Sequence, residues 1–176
     1  DRPPVALWRH FPGDDQRPQD LAAATLAFQQ RYDFDFVKVT PASSFCLRDW
    51  GARDAWQGNM EGTHKYMGTV IKTPEDWHQL QPLDPTQGAL GDQLASLRTI
   101  GENLNGEVPF IQTIFNPLAQ AKNLAGKARL IAHLRQYPHD VHAGLETIVE
   151  TTHRFIEAAR ETGIAGVFYA VQHAQY

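Results

Sequence analysis

Four short apolar runs, each separated from the next by helical patterning, constrain this chain more than any other feature. They are Val5-Ala6-Leu7-Trp8, Phe34 to Thr40, Val108 to Phe115 and Ile164 to Val171. A strand with one wet face alternates polar and apolar residues, whereas a strand covered on both faces reads as a continuous apolar run. Strands joined through helices run parallel, because a tight hairpin cannot join parallel neighbours. The runs therefore predict an α/β fold with a buried parallel sheet.

The segments between the runs support this reading. Leu21, Ala24, Thr25, Phe28 and Tyr32 recur at helical spacing, with Pro18 suited to a first turn. Thr73-Pro74-Glu75-Asp76 reads as a helix start: a threonine cap, proline at the first position and acids at the positive end. Leu90, Leu94, Leu97 and Ile100 to Leu104 mark another amphipathic helix. Residues 118–136 read as helix broken near Gly126, and a long helix opens at Pro138 and ends at Gly163. Residues 41–72 lack a period and carry scattered Gly, Trp, Asn and Met. We read them as an insertion within one domain spanning 1–176, with a small hairpin expected around Gly68-Thr69-Val70-Ile71.

Two architectures fit this order: a doubly wound sheet, or about four βα units of an eight-stranded (β/α)8 TIM barrel. The end of the first run reads Arg9-His10-Phe11-Pro12-Gly13, not a glycine-rich phosphate loop, which disfavours a dinucleotide fold. Half a barrel is the expectation. The chain opens without Met almost directly on an apolar run, so we expect a piece of a longer protein.

Composition narrows the partners. The 176 residues are 42% apolar and 20% charged, with a formal net charge of −4. Nucleic-acid and anionic-membrane surfaces need a basic face, so neither partner is expected. A single cysteine, Cys46, cannot form an internal disulfide, which points to a reducing, cytoplasmic setting and a structural thiol. His139, His142 and His153 form no H-E-x-x-H pattern, and no metal site is expected in the chain.

Function in parallel α/β folds sits at the C-terminal ends of strands. Polar residues interrupt or follow the apolar runs there. Arg9 and His10 close the first, and Lys38 and Thr40 interrupt the second. Gln112 interrupts the third and Asn116 follows it; Tyr169 lies in the fourth with His173 beyond. Alternation puts Arg9, Lys38, Gln112 and Tyr169 in one layer if their faces point inward. Buried cations need anionic partners, either a ligand carboxylate or an acid of the fold such as Asp14, Asp15, Asp33 or Asp35. Arg9, His10, Lys38, Gln112, Asn116, Tyr169 and His173 are therefore the candidate substrate-binding residues, with no catalytic residue assigned.

Three stretches carry a family resemblance. They are Asp1-Arg2-Pro3-Pro4-Val5-Ala6-Leu7-Trp8-Arg9, the helix from Tyr137-Pro138 to Gly163-Ile164-Ala165-Gly166-Val167-Phe168, and Val171-Gln172-His173-Ala174. Together they resemble the first half of the uroporphyrinogen decarboxylase family. The resemblance implies a TIM-barrel lyase that removes carboxyl groups from a polycarboxylated tetrapyrrole without a cofactor. It puts Arg9 among the carboxylate-binding arginines and His173 at the strand-four histidine.

This sequence departs from the family pattern at three points. The family's second loop arginine is replaced within Arg9-His10-Phe11-Pro12-Gly13-Asp14, and Thr40-Pro41-Ala42-Ser43 lacks the family's catalytic aspartate. Asn123 falls where a substrate-binding tyrosine is expected. The same superfamily includes corrinoid- and thiol-dependent methyltransferases whose zinc ligands lie in the absent half. A non-catalytic half barrel is the third alternative. The expected partners are a small polycarboxylate and either a second copy or the missing half of the barrel.

Overall fold

The structure is a computed structural model that describes residues 2–172. Its sheet comprises β1 (Val37–Val39), β4 (Phe110–Phe115) and β5 (Gly166–Ala170), in the order β1-β4-β5 with both pairings parallel. A separate antiparallel hairpin joins β2 (Asp54–Trp56) and β3 (His64–Tyr66). The helices are α1 (Pro18–Tyr32), α2 (Gly88–Leu104), α3 (Pro117–Ala125), α4 (Lys127–Gln136) and α5 (Pro138–Arg160).

Sheet strands follow one another in chain order without reversal. A doubly wound sheet changes direction at a switch point; a barrel wall does not. The helices pack in the same succession, α1 on α2 and α2 on α5. The core fills the space between helices and sheet. Leu90, Leu94, Leu97 and Ile100 of α2 meet Val39, Phe110 and Ile114 of the strands and Ile148 and Phe155 of α5, all buried.

Local chemistry explains the helix boundaries. Asn116 caps α3, its Oδ1 accepting from Ala119 N at 2.7 Å, with Pro117 at the first position. Asp49, forty residues upstream in the chain, accepts from Ala89 N at 3.0 Å and so caps α2. Thr73 and Asp76 form the reciprocal capping box over the 3-10 turn Pro74–Gln79. Gly126 sits at φ +80 between α3 and α4, a backbone state that side chains disfavour, and breaks the helix there.

Trp77 of that turn is fully buried and donates from Nε1 to His133 Nδ1 at 3.0 Å. A Cβ at Gly144 of α5 would lie 2.5 Å from Trp77 Cε3. The glycine is what lets the indole reach the helix backbone.

Two sequence expectations are corrected. Val5 to Trp8 is not a strand: Leu7 is 64% and Trp8 50% exposed. The run makes one backbone bond to the segment leading into β1, Asp35 N to Val5 O at 3.0 Å, with Val5 N held by the Asp35 carboxylate. A ladder needs repeated pairing, and Pro3 and Pro4 remove two donors from it. The hairpin lies at 54–66 rather than at 68–71. Val70 N and Ile71 N both donate to Leu124 O, at 2.8 and 3.1 Å, which ties 68–71 to the end of α3. No helix among the described residues is long and apolar enough to cross a membrane.

Candidate active site

The strand C-terminal ends gather at one mouth, where Lys38 is the buried cation. Its Nζ lies 3.7 Å from the Trp8 ring centroid and 4.4 Å from that of Phe168. The other polar contact is Thr40 Oγ1, at 3.4 Å. Among the described residues no carboxylate lies within ion-pair distance of Lys38. Burial pushes the ammonium down to a pKa of about 8, since low-dielectric surroundings disfavour the charge. The aromatic faces are the partial compensation.

Arg9 and His10 lie on the adjoining N-terminal segment. Arg9 lines a small cleft with Lys38, Trp8, Phe11 and Phe28, its guanidinium 5.6 Å from the Phe11 ring centroid. His10 is half-buried against Trp8 and against Gly62 of the hairpin loop, where a Cβ would sit 2.8 Å from His10 Cβ. Burial lowers the His10 pKa, Lys38 and His64 lower it further, and Asp15 opposes them.

The expected single layer of Arg9, Lys38, Gln112 and Tyr169 is corrected. Lys38 pairs with Ile111, and Thr113 with Phe168, which puts these four on one face of the sheet. Gln112 and Tyr169 therefore face the other way. Gln112 is fully buried towards α2, accepting from Gln93 Nε2 at 3.0 Å and donating to Thr113 O at 2.8 Å. Alternation along a strand sets relative facing only; the pairing register sets which parity points inward. Tyr169 is 47% exposed. Asn116 donates to Gln172 O at 2.9 Å besides capping α3. His173 lies outside the described residues.

A second polar cluster flanks the mouth. His64 of β3 is almost fully buried between two carboxylates, with Nε2 3.2 Å from Asp15 Oδ2 and Nδ1 2.9 Å from Asp54 Oδ2. Neither approach is aligned as a hydrogen bond. The contacts attract as charge pairs when both ring nitrogens carry hydrogen. Arg48 Nη2 lies 3.3 Å from Asp54 Oδ1 and 2.6 Å from Gln16 Oε1, and its Nε donates to Ser44 Oγ at 3.1 Å. The cluster fastens the hairpin to the 3-10 turn Asp14–Gln16 beside His10. Sequence reasoning missed it because Arg48, Asp54 and His64 lie 33 or more residues after Asp15 in the chain, and no local motif links them.

Tyr66 of β3 also reaches this region from the hairpin. Its hydroxyl is 3.2 Å from Ser43 Oγ and accepts from Asn123 Nδ2 at 3.1 Å. Burial raises the Tyr66 pKa, so the phenol stays protonated. A tyrosine hydroxyl from the insertion thus stands beside Asn123, where the family resemblance calls for a tyrosine. Cys46 is buried, and burial pushes its thiol up to about 12, far from a reactive thiolate.

Among the described residues no three His, Cys, Asp or Glu side chains converge as a metal site. Asp15 and Asp54 sit on opposite nitrogens of one ring, which is a bridge and not a chelate. The zinc of the methyltransferase branch does not fit these side chains.

Comparison with solved structures finds a methyltransferase from Methanosarcina mazei at a TM-score of 0.76 and 16% identity. The match covers 90% of this chain and 47% of that one, so the chain spans about half the length of its structural relative. At that identity the likeness shows the fold alone, half of a TIM-barrel-type architecture. No curated protein matches the chain. Residues 8–175 match the family described as uroporphyrinogen decarboxylase (URO-D), and this chain belongs to that family.

Proposed function

We propose that this chain builds half the active-site mouth of a uroporphyrinogen decarboxylase-like lyase, and that Lys38 and Arg9 receive carboxylates of a polycarboxylated, tetrapyrrole-type substrate. One observation carries the reading: Lys38 is buried at a strand end with aromatic walls and no ion-pair partner among the described residues. Burying an ammonium costs several kcal/mol, on the order of what a paired carboxylate offsets. The guanidinium of Arg9 adds a planar donor pair suited to a second carboxylate.

Each residue has a role in this reading. The Lys38 ammonium fixes one carboxylate, and Arg9 meets a neighbouring one. Trp8 and Phe168 exclude water and lower the local dielectric, which strengthens both pairings. His10, held towards its neutral form, offers both a donor and an acceptor nitrogen. Thr40-Pro41-Ala42-Ser43 has no acid, so another group supplies the proton that replaces departing carbon dioxide. Titration of the full-length protein with coproporphyrinogen-type ligands tests the proposal. Saturable binding that weakens in Lys38→Ala and Arg9→Ala supports it; no binding, or binding unchanged in both variants, counts against it.

The solved relative gives one alternative its footing, because it is described as a methyltransferase. In that reading the zinc is held by residues beyond this chain. Metal analysis of the full-length protein, with a downstream His-x-Cys pair and a later Cys, would favour it over the lyase.

A further inference from the structure

We infer that the Lys38 amine is a nucleophile that forms an imine with the carbonyl group of a small oxo acid docked at the same mouth. The carboxylate of this ligand is held by Arg9, which rests on the proposed function above and leaves Lys38 unpaired; the covalent step goes beyond that reading.

Geometry supplies the case. An amine reacts with a carbonyl only as the free base, and lysines become nucleophilic when desolvated in an apolar pocket or placed beside another cation. Lys38 meets the first condition, burial being what lowers its pKa. It is enclosed by Trp8 and Phe168, and Arg9 lines the same cleft. Trp8 is 50% and Phe168 41% exposed, so the walls are open to an incoming ligand. An ion-paired lysine would be locked as ammonium; among the described residues Lys38 has no acid partner. Its lowered pKa raises the free-amine fraction at neutral pH on the order of a hundredfold over an ordinary lysine.

The step balances without an oxidant or reductant. The Nζ lone pair attacks the carbonyl carbon and forms the C–N bond. The carbonyl π pair moves to oxygen, which takes a proton and gives the carbinolamine. The nitrogen lone pair then expels the hydroxyl, which takes a second proton from solvent and leaves as water, so that C=N remains with its nitrogen still protonated. Thr40 Oγ1, 3.4 Å from Nζ, is placed to pass the first proton. When the oxo acid carries its carboxylate one carbon further away, the protonated imine accepts the electron pair left by departing carbon dioxide. That is lyase chemistry with no cofactor.

The experiment treats the full-length protein with glyoxylate and cyanoborohydride from pH 6 to 9, followed by peptide mapping. Exposed Lys65 and Lys72 serve as references within the same molecule. The expected result is modification of Lys38 about tenfold faster than either reference at pH 7, levelling above pH 8 while theirs still climbs. Modification of Lys38 no faster than the references overturns the inference, and wild-type mapping requires no variant to fold. Propanal, which has no carboxylate, separates the two claims. Equal preference for Lys38 with propanal and glyoxylate supports the amine and contradicts carboxylate capture. Loss of preference with both reagents overturns the imine, and the ligand titration then decides the binding claim alone.

Discussion

Lys38 Nζ stands 3.7 Å from the centre of the Trp8 indole, so a residue of the N-terminal segment covers the cation of the first sheet strand. A segment that pairs poorly as a strand thereby does a strand's work at the mouth. The contact makes Lys38 both a binding group and a liability, and the two properties can be measured separately.

The liability has a pH signature. The folded pKa of Lys38 is about 8, below that of an unfolded lysine. Between the two values the unfolded chain binds more protons, so stability rises with pH over that window. Below pH 8 the full cost of the buried charge remains. Lys38→Met should stabilise the protein by about 1–2 kcal/mol at pH 7 and by less at pH 10, measured by urea unfolding.

Breaking the hairpin cluster should have the opposite effect. His64→Leu leaves Asp15 and Asp54 buried and facing each other across an apolar side chain. The expected loss is about 1–3 kcal/mol, the range for leaving buried polar groups without a partner. A double change, His64→Leu with Asp15→Leu, should recover part of that loss. Equal or greater loss in the double variant would mean that the two side chains are not coupled.

At Gly144 the prediction is steric. A Cβ there would lie 2.5 Å from the Trp77 ring, so Gly144→Ala must displace the indole or the helix. The expected cost is about 1–3 kcal/mol despite the better helix propensity of alanine. A changed tryptophan emission spectrum should accompany it, because Trp77 would lose its bond to His133. A stabilised variant with unchanged emission would contradict the close packing.

Much of the fold was legible because apolar runs and caps act locally. Val108 to Phe115 announced β4, Pro117 and Gly126 bounded α3, and Thr73 to Asp76 announced their turn. What was not legible depended on partners distant in sequence. Val5 to Trp8 is as apolar as the other runs but lacks the repeated pairing that makes a strand. Gln112 alternates as expected, yet the register Lys38 to Ile111 turns it towards α2. The bridge from Asp15 to His64 and Asp54 joins residues with no shared motif. Lys38 was visible because a lone cation inside an apolar run requires an explanation.

These residues on their own should not behave as a stable monomer. Val5, Leu7 and Trp8 of the N-terminal segment, Phe168 of β5 and Val171 just after it are exposed apolar side chains, and an open sheet edge invites pairing. Sedimentation of the 176-residue chain should show concentration-dependent association. A monomer with sharp, concentration-independent thermal unfolding would show instead that the half barrel is self-sufficient.

The central claim is that the buried cation at the mouth holds a carboxylate of the substrate. Calorimetric titration of the full-length protein with a polycarboxylate ligand, in wild type and Lys38→Ala across pH 6 to 9, tests it most directly. The account predicts binding that weakens as pH rises through about 8 in the wild type, and weak binding without that inflection in the variant. Equal affinity and an identical pH profile in the two proteins would contradict it.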